Sequence, residues 1–388
     1  MAWYDRSGQE ADVVLSSRVR VARNLEGYAF EPRLTADKAK EIIDKAKAVF
    51  TPEKGYTFTD FAALSPVERE AYAERYTVSA EFAAKNTPHA LFSKEDDGTY
   101  IMVCEEDHLR IQSIVPGFDL KSAYEHAEAA DSLADEGLDI AYSEKLGYLT
   151  HCPTNLGTGM RASVMMFLPA LTAANQIRAL SLRLQKIGLT VRGMSGEGSR
   201  ADAALYQISN QITLGVSEED LIDKLDAVVK QIIVSERRIR EEMKKENGER
   251  LFDMSRRALG TALYSQRMDY AEFLEIYEKL RLGIALGCIS ECDYARLDKL
   301  RIEAGRAVIS EAEGLPENDT AARDRARAAL VKKTLASGAQ YGYAYDVLGR
   351  VTGLTGPEGR SLTYAYDDRG NLASETDALG RVTAYAYD

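Results

Sequence analysis

Residues 100–112 read YIMVCEEDHLRIQ: an apolar run is followed at once by three acids, a histidine and an arginine. The pattern predicts extended structure over residues 99–115, with the charge placed where a core strand ends. In extended backbone every second side chain lies on the same face, so Glu106, His108 and Arg110 would line one surface. An edge strand protected by charges has the same pattern, and this stretch alone leaves both interpretations open.

The other elements place strands early in the chain and helices late. Residues 12–23 (DVVLSSRVRVAR) alternate in polarity, which predicts a strand with Arg18 and Arg20 on one face. Ser217 and Asp220 predict the start of a long amphipathic helix. Helices are also predicted at 33–49, 66–76, 119–135 and 170–187, and through most of 251–335. Because strands and helices do not alternate regularly, we expect an α+β fold rather than a doubly wound sheet.

Composition excludes several classes of function. The 388 residues include 49 Lys plus Arg and 61 Asp plus Glu, a net charge of −12. We therefore expect no direct nucleic-acid binding and no binding to anionic membranes. No apolar run approaches the roughly 18 residues that span a bilayer, and the N-terminus lacks a signal-peptide pattern, which predicts a cytoplasmic protein. Four cysteines in a chain of this length predict reduced thiols rather than a disulfide framework.

Two glycine-containing stretches carry further candidates. Within the loop that contains CPTNLGTGMR (152–161), Gly157-x-Gly159-x-x-Ala162 superficially matches a dinucleotide fingerprint, but residues 177–187 supply no acid for a ribose, and the loop has no Gly-Lys-Ser/Thr. The loop still suits close backbone approach to an anion. Residues 192–199 (RGMSGEGS) place Glu197 between two glycines on a loop that can bend sharply. An ordinary turn remains the alternative for this second stretch.

Arginines recur at strand ends and loops of this acidic chain. Planar guanidinium groups bind phosphate oxygens in a fork and neutralise the charge that spreads during phosphoryl transfer. The set predicts a phosphate clamp made of Arg18, Arg20, Arg110, Arg161 and Arg192. Two glutamates on separate segments, Glu106 and Glu197, would orient and deprotonate a nucleophile.

Four ordered motifs resemble the guanidino (phosphagen) kinase family over about residues 1–250: SSRVR at 16–20, EEDHLR at 105–110, CPTNLGTGMR at 152–161 and RGMSGEGS at 192–199. The resemblance implies an antiparallel, glutamine-synthetase-like sheet flanked by helices. It also implies Mg-ATP as the phosphoryl donor, a guanidinium nitrogen as the acceptor, and no protein side chain as a metal ligand. By motif position the five arginines match the family's nucleotide-phosphate arginines, Glu106 and Glu197 its substrate carboxylates, and Cys152 its guanidinium-side thiol. A small buried apolar role is the alternative for Cys152.

Within this family the chain is most similar to the bacterial branch that phosphorylates arginine side chains of proteins and marks them for proteolysis in the stress response. Only 15 residues precede Ser16, where kinases of free arginine or creatine carry a helical domain. The resemblance implies protein substrates with exposed arginines, an activator protein, a Clp-type protease complex and a homodimer. It also implies an allosteric phosphoarginine site at Arg323, Asp324 and Arg327. A kinase of a free guanidino compound and an inactive nucleotide- or phosphoarginine-binding adaptor remain alternatives, and Cys104 stands where the family usually has Asn.

The end of the chain is an internal repeat. The tetrapeptide YAYD ends at Asp346, Asp367 and Asp388, a spacing of 21 residues, since 367 − 346 = 21 and 388 − 367 = 21. This segment resembles the YD repeats of Rhs-type shell proteins and predicts short strands and hairpins. So few repeats are marginal in isolation, which favours an appendage without a role in catalysis. We expect a catalytic domain over 1–250, a helical region over 251–338 and the repeat tail over 339–388.

Overall fold

The computed structural model describes residues 2–193, 202–316, 318–336, 342–355, 361–377 and 380–387. Its early strands are β1 (Val14–Arg23), β2 (Thr57–Asp60), β3 (Ala90–Lys94), β4 (Thr99–Val103), β5 (Leu109–Pro116), β6 (Tyr142–Ser143), β7 (Gly147–Tyr148), β8 (Met160–Phe167), β9 (Leu189–Gly193) and β10 (Leu205–Asn210). Eight of them form one sheet in the order β2-β3-β4-β5-β1-β8-β10-β9. Every neighbouring pair in this sheet is antiparallel, as the family resemblance implies.

Helices of the first half cover the sheet. They are α1 (Ala36–Val49), α2 (Pro66–Glu74), α3 (Ala80–Ala83), α4 (Leu120–Gly137), α5 (Pro169–Ala173) and α6 (Ile177–Gln185). Helix α4 presents buried alanines at Ala123, Ala127 and Ala130 to the sheet, in one core cluster with Val19 and Val21 of β1. Small side chains at helical spacing allow this close approach. The apolar half of β1 is thereby buried, and Arg18 and Arg20 lie on the opposite face.

The prediction of continuous extended structure over 99–115 is wrong at residues 104–108. These residues form a tight connection between β4 and β5, closed by hydrogen bonds from Cys104 N to His108 O (2.8 Å) and from Glu105 N to Asp107 O (3.1 Å). Cys104 adopts the left-handed conformation, with φ of 63°. This conformation is uncommon for residues other than glycine, and Asn tolerates it better than most. The acids therefore lie on a turn, where strand alternation does not set their direction.

A single long helix, α7 (Glu218–Tyr264), joins the sheet to the helical region. Its first residues are capped by Ser217, whose hydroxyl accepts from Asp220 N, as the sequence predicts. Asn247 interrupts the helix with φ of −135° and ψ of 26°. The half before this break packs under the sheet through Leu225 and Val229, and the half after it packs into the core of the following helices. The domain boundaries at 250 and 338 stay predictions.

The helical region and the tail complete the described chain. The remaining helices are α8 (Tyr270–Ala285), α9 (Tyr294–Glu303), α10 (Arg306–Glu313) and α11 (Thr320–Ala336), and the last strands are β11 (Gly342–Tyr345), β12 (Val351–Thr355), β13 (Ser361–Tyr366), β14 (Leu372–Asp377) and β15 (Val382–Ala384). The last five form a separate antiparallel meander, so the predicted strands and hairpins are confirmed. Its turns repeat one chemistry: the Asp346 and Asp367 carboxylates accept backbone N–H groups, and Gly349 and Gly370 supply the positive φ. None of the helices in the described ranges combines the length and apolar character needed to cross a bilayer.

Candidate functional site

Four of the five predicted phosphate arginines lie on one face of the central strands. Arg20 of β1 is directly opposite Arg161 of β8, and Arg18 is two residues along on the same face. Arg110 of β5 pairs with Ala22, two residues beyond Arg20. Opposed residues in an antiparallel pair point to the same side, so these guanidinium groups converge on one surface. We call this surface the arginine face.

Arg192 extends the arginine face toward the sheet edge. It lies on β9 opposite Gln207 of β10, and the Gln207 side chain accepts a hydrogen bond from Arg18 Nη2 at 3.2 Å. Arg192 is exposed. Strand β9 ends one residue later at Gly193, and residues 194–201 lie outside the described residues. Glu197, the second predicted carboxylate, also lies outside the described residues.

The arginine face carries little compensating charge among the described residues. The Nε of Arg20 is buried without a hydrogen-bond acceptor, and no hydrogen bond or ion pair to this side chain occurs in the ranges described. Burial, together with the neighbouring Arg110 and Arg161, lowers the pKa of Arg18 to about 10. Burial, with Arg18 and Arg110 nearby, lowers the pKa of Arg20 well below its usual range. Guanidinium groups stay protonated in proteins, so this surface favours binding of an anion with several negative charges.

Arg110 differs from its neighbours because it has a buried partner. Glu105 Oε1 accepts from Arg110 Nη1 at 2.6 Å and from Ser79 Oγ at 2.6 Å. Burial alone would lower the pKa of Arg110, but the Glu105 carboxylate raises it. No role was predicted for Glu105, since strand alternation would place it on the face opposite Arg110. No local signal distinguishes the three acids, because the turn at 104–108 decides which of them reaches the arginine.

Glu106 and Cys152 come together at the end of the sheet. Glu106 is exposed at the tip of the β4–β5 turn, and its Oε1 lies 3.6 Å from His151 Nδ1. Cys152 is the next residue after His151, and its Sγ lies 3.0 Å from Thr154 Oγ1. The Cys152 side chain is partly exposed, so the alternative of a buried apolar thiol is not supported. We call residues 150–159 the acceptor loop, since they carry the predicted guanidinium-side thiol.

Asp107 and His108 point inward from the turn and hold it against neighbouring segments, Asp107 against the acceptor loop. Asp107 Oδ1 accepts from His151 N at 2.7 Å and from Asn24 Nδ2 at 2.6 Å, which ties β1, the turn and the loop together. His108 is buried: its Nδ1 accepts from Leu25 N at 3.0 Å, so its Nε2 carries the hydrogen and donates to the Ala29 carbonyl at 2.9 Å. Burial lowers the pKa of His108. The prediction that His108 lines the polar face with Glu106 is therefore wrong, and this histidine is a positioning residue.

The glycines of the acceptor loop serve close packing within the protein. Gly157 and Gly159 have φ of 99° and 64°. A Cβ on Gly159 would lie 2.8 Å from the Ala22 carbonyl oxygen, and one on Gly157 would lie 2.3 Å from the Thr213 carbonyl oxygen. Only glycine fits both the conformation and the space. The close approach that these glycines permit is to the backbone of β1 and of the segment after β10.

The residues predicted to bind phosphoarginine lie on α11 and are largely buried. Arg327 donates from Nε to the Ala304 carbonyl (2.9 Å) and from Nη1 to the Met268 carbonyl (2.9 Å) and to Asp324 Oδ1 (3.1 Å). Arg323 donates to Thr320 Oγ1 at 3.1 Å. Arg327 therefore also joins α8, α9 and α11, and the allosteric role of the set stays a prediction.

Comparison with family models covers most of the chain. Residues 37–239 match the ATP:guanido phosphotransferase C-terminal catalytic domain. Residues 248–343 match the C-terminal domain of the protein-arginine kinase McsB, and residues 329–361 and 366–388 match the RHS repeat. The phosphagen kinase resemblance and the resemblance of the tail to Rhs-type repeats are thus confirmed.

Full-length relatives and solved structures agree with these matches. A protein-arginine kinase of Caldanaerobacter subterraneus subsp. tengcongensis is 41% identical over 341 residues, which are 86% of this chain and 99% of the relative. That of Clostridium tetani is 39% identical over 334 residues, 86% and 98% of the two chains.

Among solved structures, the duplicated taurocyamine kinase from Schistosoma mansoni with bound transition state analog components aligns with a TM-score of 0.52 and 25% identity, over 60% of this chain and 34% of its own. This chain thus spans about a third of that duplicated protein. Lombricine kinase aligns with a TM-score of 0.51 and 24% identity, over 59% of this chain and 67% of its own, which confirms the predicted α+β fold. The chain belongs to the ATP:guanido phosphotransferase family, in the branch of the protein-arginine kinases.

Proposed function

We propose that this protein transfers the γ-phosphoryl group of ATP to the guanidinium groups of arginine side chains in proteins. The observation that carries the proposal is the continuity of two surfaces. The arginine face, with the uncompensated Arg20 at its centre, reaches along β1 to the turn where Glu106 meets the acceptor loop. A polyphosphate on the first surface and a cation on the second would meet at the end of the sheet.

The arginine face fits the phosphates of the nucleotide. Arg18, Arg20 and Arg161 would bind the phosphate oxygens and neutralise the charge on the transferring group, which is the main contribution that proteins make to phosphoryl transfer. We place Mg²⁺ on the phosphates, where it would neutralise charge on the donor. The buried Nε of Arg20 would gain a phosphate acceptor on binding.

The acceptor must be aligned and must lose a proton. A guanidinium is a poor nucleophile, because it is protonated and its lone pairs are delocalised. Glu106 and Glu197 would hold its N–H groups, and Cys152 would add a third contact. As the N–P bond forms and the bond from the γ-phosphorus to the β,γ-bridging oxygen breaks, ADP leaves and one carboxylate takes the proton.

Family resemblance extends the proposal beyond the site. We propose protein substrates with exposed arginines, a homodimeric assembly, an activator protein and a Clp-type protease complex that receives the phosphorylated proteins. We place these steps in the cytoplasm and in the response to stress. Phosphorylation of a free guanidino compound is the competing outcome of the test below.

The test is transfer from labelled ATP in the presence of Mg²⁺, once to an unfolded protein rich in arginine and once to free arginine. We expect acid-labile phosphate on arginines of the unfolded protein. Glu106→Ala and Glu197→Ala should abolish transfer and leave ATP affinity nearly unchanged, because the proposal assigns both carboxylates to the acceptor and not to ATP. Glu125→Ala, on the exposed face of α4, is the matched control. Labelling of free arginine alone would overturn the choice of protein substrates.

The allosteric proposal needs a separate design, because Arg327 has a structural role. Added phosphoarginine should change the rate, and Arg323→Ala should remove that response at unchanged stability. Arg327→Ala should remove the response and also lower the thermal unfolding temperature, since two backbone carbonyls lose their donor. A response that survives both substitutions would place the phosphoarginine site elsewhere.

A further inference from the structure

Large apolar side chains are exposed on both sides of the acceptor loop. On one side Phe30 is 39% exposed, and its ring is 6.0 Å from the His151 ring, edge to face. On the other side Ile212 and Leu214 are 48% and 49% exposed. Single exposed apolar residues are common on protein surfaces. These three differ because each is joined to the loop that carries the candidate thiol.

The link on the second side runs through Thr213. Its hydroxyl lies 2.8 Å from the Thr154 carbonyl oxygen and 2.7 Å from the Leu156 carbonyl oxygen, within hydrogen-bond distance of both. Thr154 Oγ1 is in turn 3.0 Å from the Cys152 thiol. Thr213 is buried while its two neighbours point outward. The protein therefore fixes the backbone of Ile212 and Leu214 against the acceptor loop and leaves their side chains in water.

Ile212 and Leu214 also pack closely against two glycines, Gly188 and Gly157. A Cβ on Gly157 would lie 2.7 Å from Leu214 Cα, so the two backbones are in contact. The Ile212 side chain covers Gly188, where a Cβ would lie 2.7 Å from Ile212 Cδ1. The backbone of Leu214 thus packs against the acceptor loop, and part of the Ile212 side chain packs on Gly188. An ordered apolar surface gains affinity for an apolar partner at little entropic cost.

We propose that these side chains form two apolar subsites, which bind the residues flanking the acceptor arginine of an extended, unfolded polypeptide. The inference rests on the proposed function and specifies its substrate. In an extended chain, residues two positions before and two after the arginine point to the same side as the arginine. One of these residues contacts Phe30, and the other contacts Ile212 and Leu214, while the guanidinium enters between Glu106 and Cys152. Unfolded proteins expose apolar residues in this arrangement, whereas folded substrates bury them.

The experiment compares two peptides with one arginine each: one carries Leu at both flanking positions, and the other carries Ser. The wild-type protein should prefer the Leu peptide in kcat/KM by about tenfold, mainly through KM. The variants Leu214→Ser and Phe30→Ser should each reduce this ratio by about threefold or more. Val234→Ser removes an apolar side chain that is 66% exposed on α7, and it should leave the ratio unchanged. Thermal unfolding of each variant verifies that it folds.

Binding of the two peptides, measured by fluorescence anisotropy without ATP, separates this inference from the proposed function. A preference for the Leu peptide that Leu214→Ser weakens supports the subsites, even if no phosphoryl transfer takes place. Equal binding and equal kcat/KM for the two peptides would overturn the subsites and leave arginine phosphorylation untouched. A ratio that falls equally in Val234→Ser would also overturn them, because the effect would then not depend on the acceptor loop.

Discussion

Arg20 of the arginine face and Arg281 of the helical region have opposite surroundings. Arg20 lies in a strand with other cations nearby, and its buried Nε has no acceptor within the described part of the chain. Arg281 of α8 is completely buried, and it donates to both carboxylate oxygens of Asp298 and to the carbonyls of Ala11 and Asp12. Arg20 can therefore still donate hydrogen bonds to a ligand, whereas the donors of Arg281 already have acceptors within the protein.

This difference separates a binding role from a structural role. Buried polar groups in folded proteins are nearly always hydrogen-bonded. The Nε atoms of Arg23 and Arg301 are also buried without an acceptor, but their terminal nitrogens donate to Asp131 and to the Tyr76 hydroxyl, whereas the Arg20 side chain has no hydrogen bond within the described residues. Burial alone would lower the pKa of Arg281, but the Asp298 carboxylate raises it. For Arg20, burial and the neighbouring arginines act in the same direction, and its pKa falls. A polyanion bound beside Arg20 would release this electrostatic strain, whereas the interactions of Arg281 hold the helical region against the N-terminal segment.

The largest expected effect follows from removing an uncompensated arginine. Arg20→Ala should slow phosphoryl transfer by about 10³- to 10⁵-fold, as loss of a transition-state arginine does in other phosphoryl-transfer enzymes. Stability should stay the same or rise, because a strained positive charge is lost. Single-turnover transfer and urea unfolding measure the two effects. Arg238→Ala, at an exposed ion pair of α7, is the control. A strong loss of stability together with only a small loss in the rate of transfer would mean that Arg20 has a structural role.

The reverse result is expected for Arg281. Arg281→Ala leaves the Asp298 carboxylate without its buried partner, and breaking such a pair costs about 3–5 kcal/mol of unfolding free energy. The helical region should loosen first, since Arg281 bridges it to Asp12. Urea unfolding and hydrogen exchange measure the loss. Arg257→Ala, at an exposed pair on α7, should leave stability nearly unchanged. If ATP affinity fell and stability did not, Arg281 would belong with Arg20.

Sequence alone predicted the parts of this comparison that depend on local periodicity. The shared face of Arg18 and Arg20 followed from strand alternation, and the start of α7 followed from its capping residue. It did not predict which acid reaches Arg110, because a charged turn and a charged strand have the same composition. Nor did it predict the contacts of Arg327, whose acceptor carbonyls, Ala304 and Met268, are distant along the chain. The local turn at 104–108 decides the first point, and tertiary contacts over tens of residues decide the second.

Arg110 provides an intermediate case that pH can resolve. It lies on the arginine face, yet it has a buried counter-charge in Glu105. Burial raises the pKa of Glu105, but Arg110 and the hydrogen bond from Ser79 lower it, and the net shift is below the ordinary value of 4.5. A carboxyl with a lowered pKa stabilises the fold above its ordinary pKa, and this contribution is lost as pH falls through the folded-state value.

Glu105→Gln should therefore lower the free energy of unfolding by about 1–3 kcal/mol at neutral pH. The difference from wild type should shrink as pH falls below about 4.5, where Glu105 itself becomes protonated. Urea unfolding across this range measures the trend, and Glu125→Gln serves as the exposed control. A difference that is independent of pH would mean that packing, rather than the charge of Glu105, supports Arg110.

The smallest effect is expected at the repeat tail, where arginines have a third kind of surrounding. Arg350 Nε donates to Asp346 and Arg381 Nε donates to Asp377, each at 2.6 Å, so both pairs lie within their own turns. Helix α11 ends at Ala336, before the tail begins. Deleting residues 340–388 should leave specific activity within about twofold, since tenfold corresponds to only 1.4 kcal/mol. Initial rates and the thermal unfolding temperature of the truncated protein test this. Loss of folded protein on deletion would instead show that the meander stabilises the kinase, and that its arginines belong with Arg281.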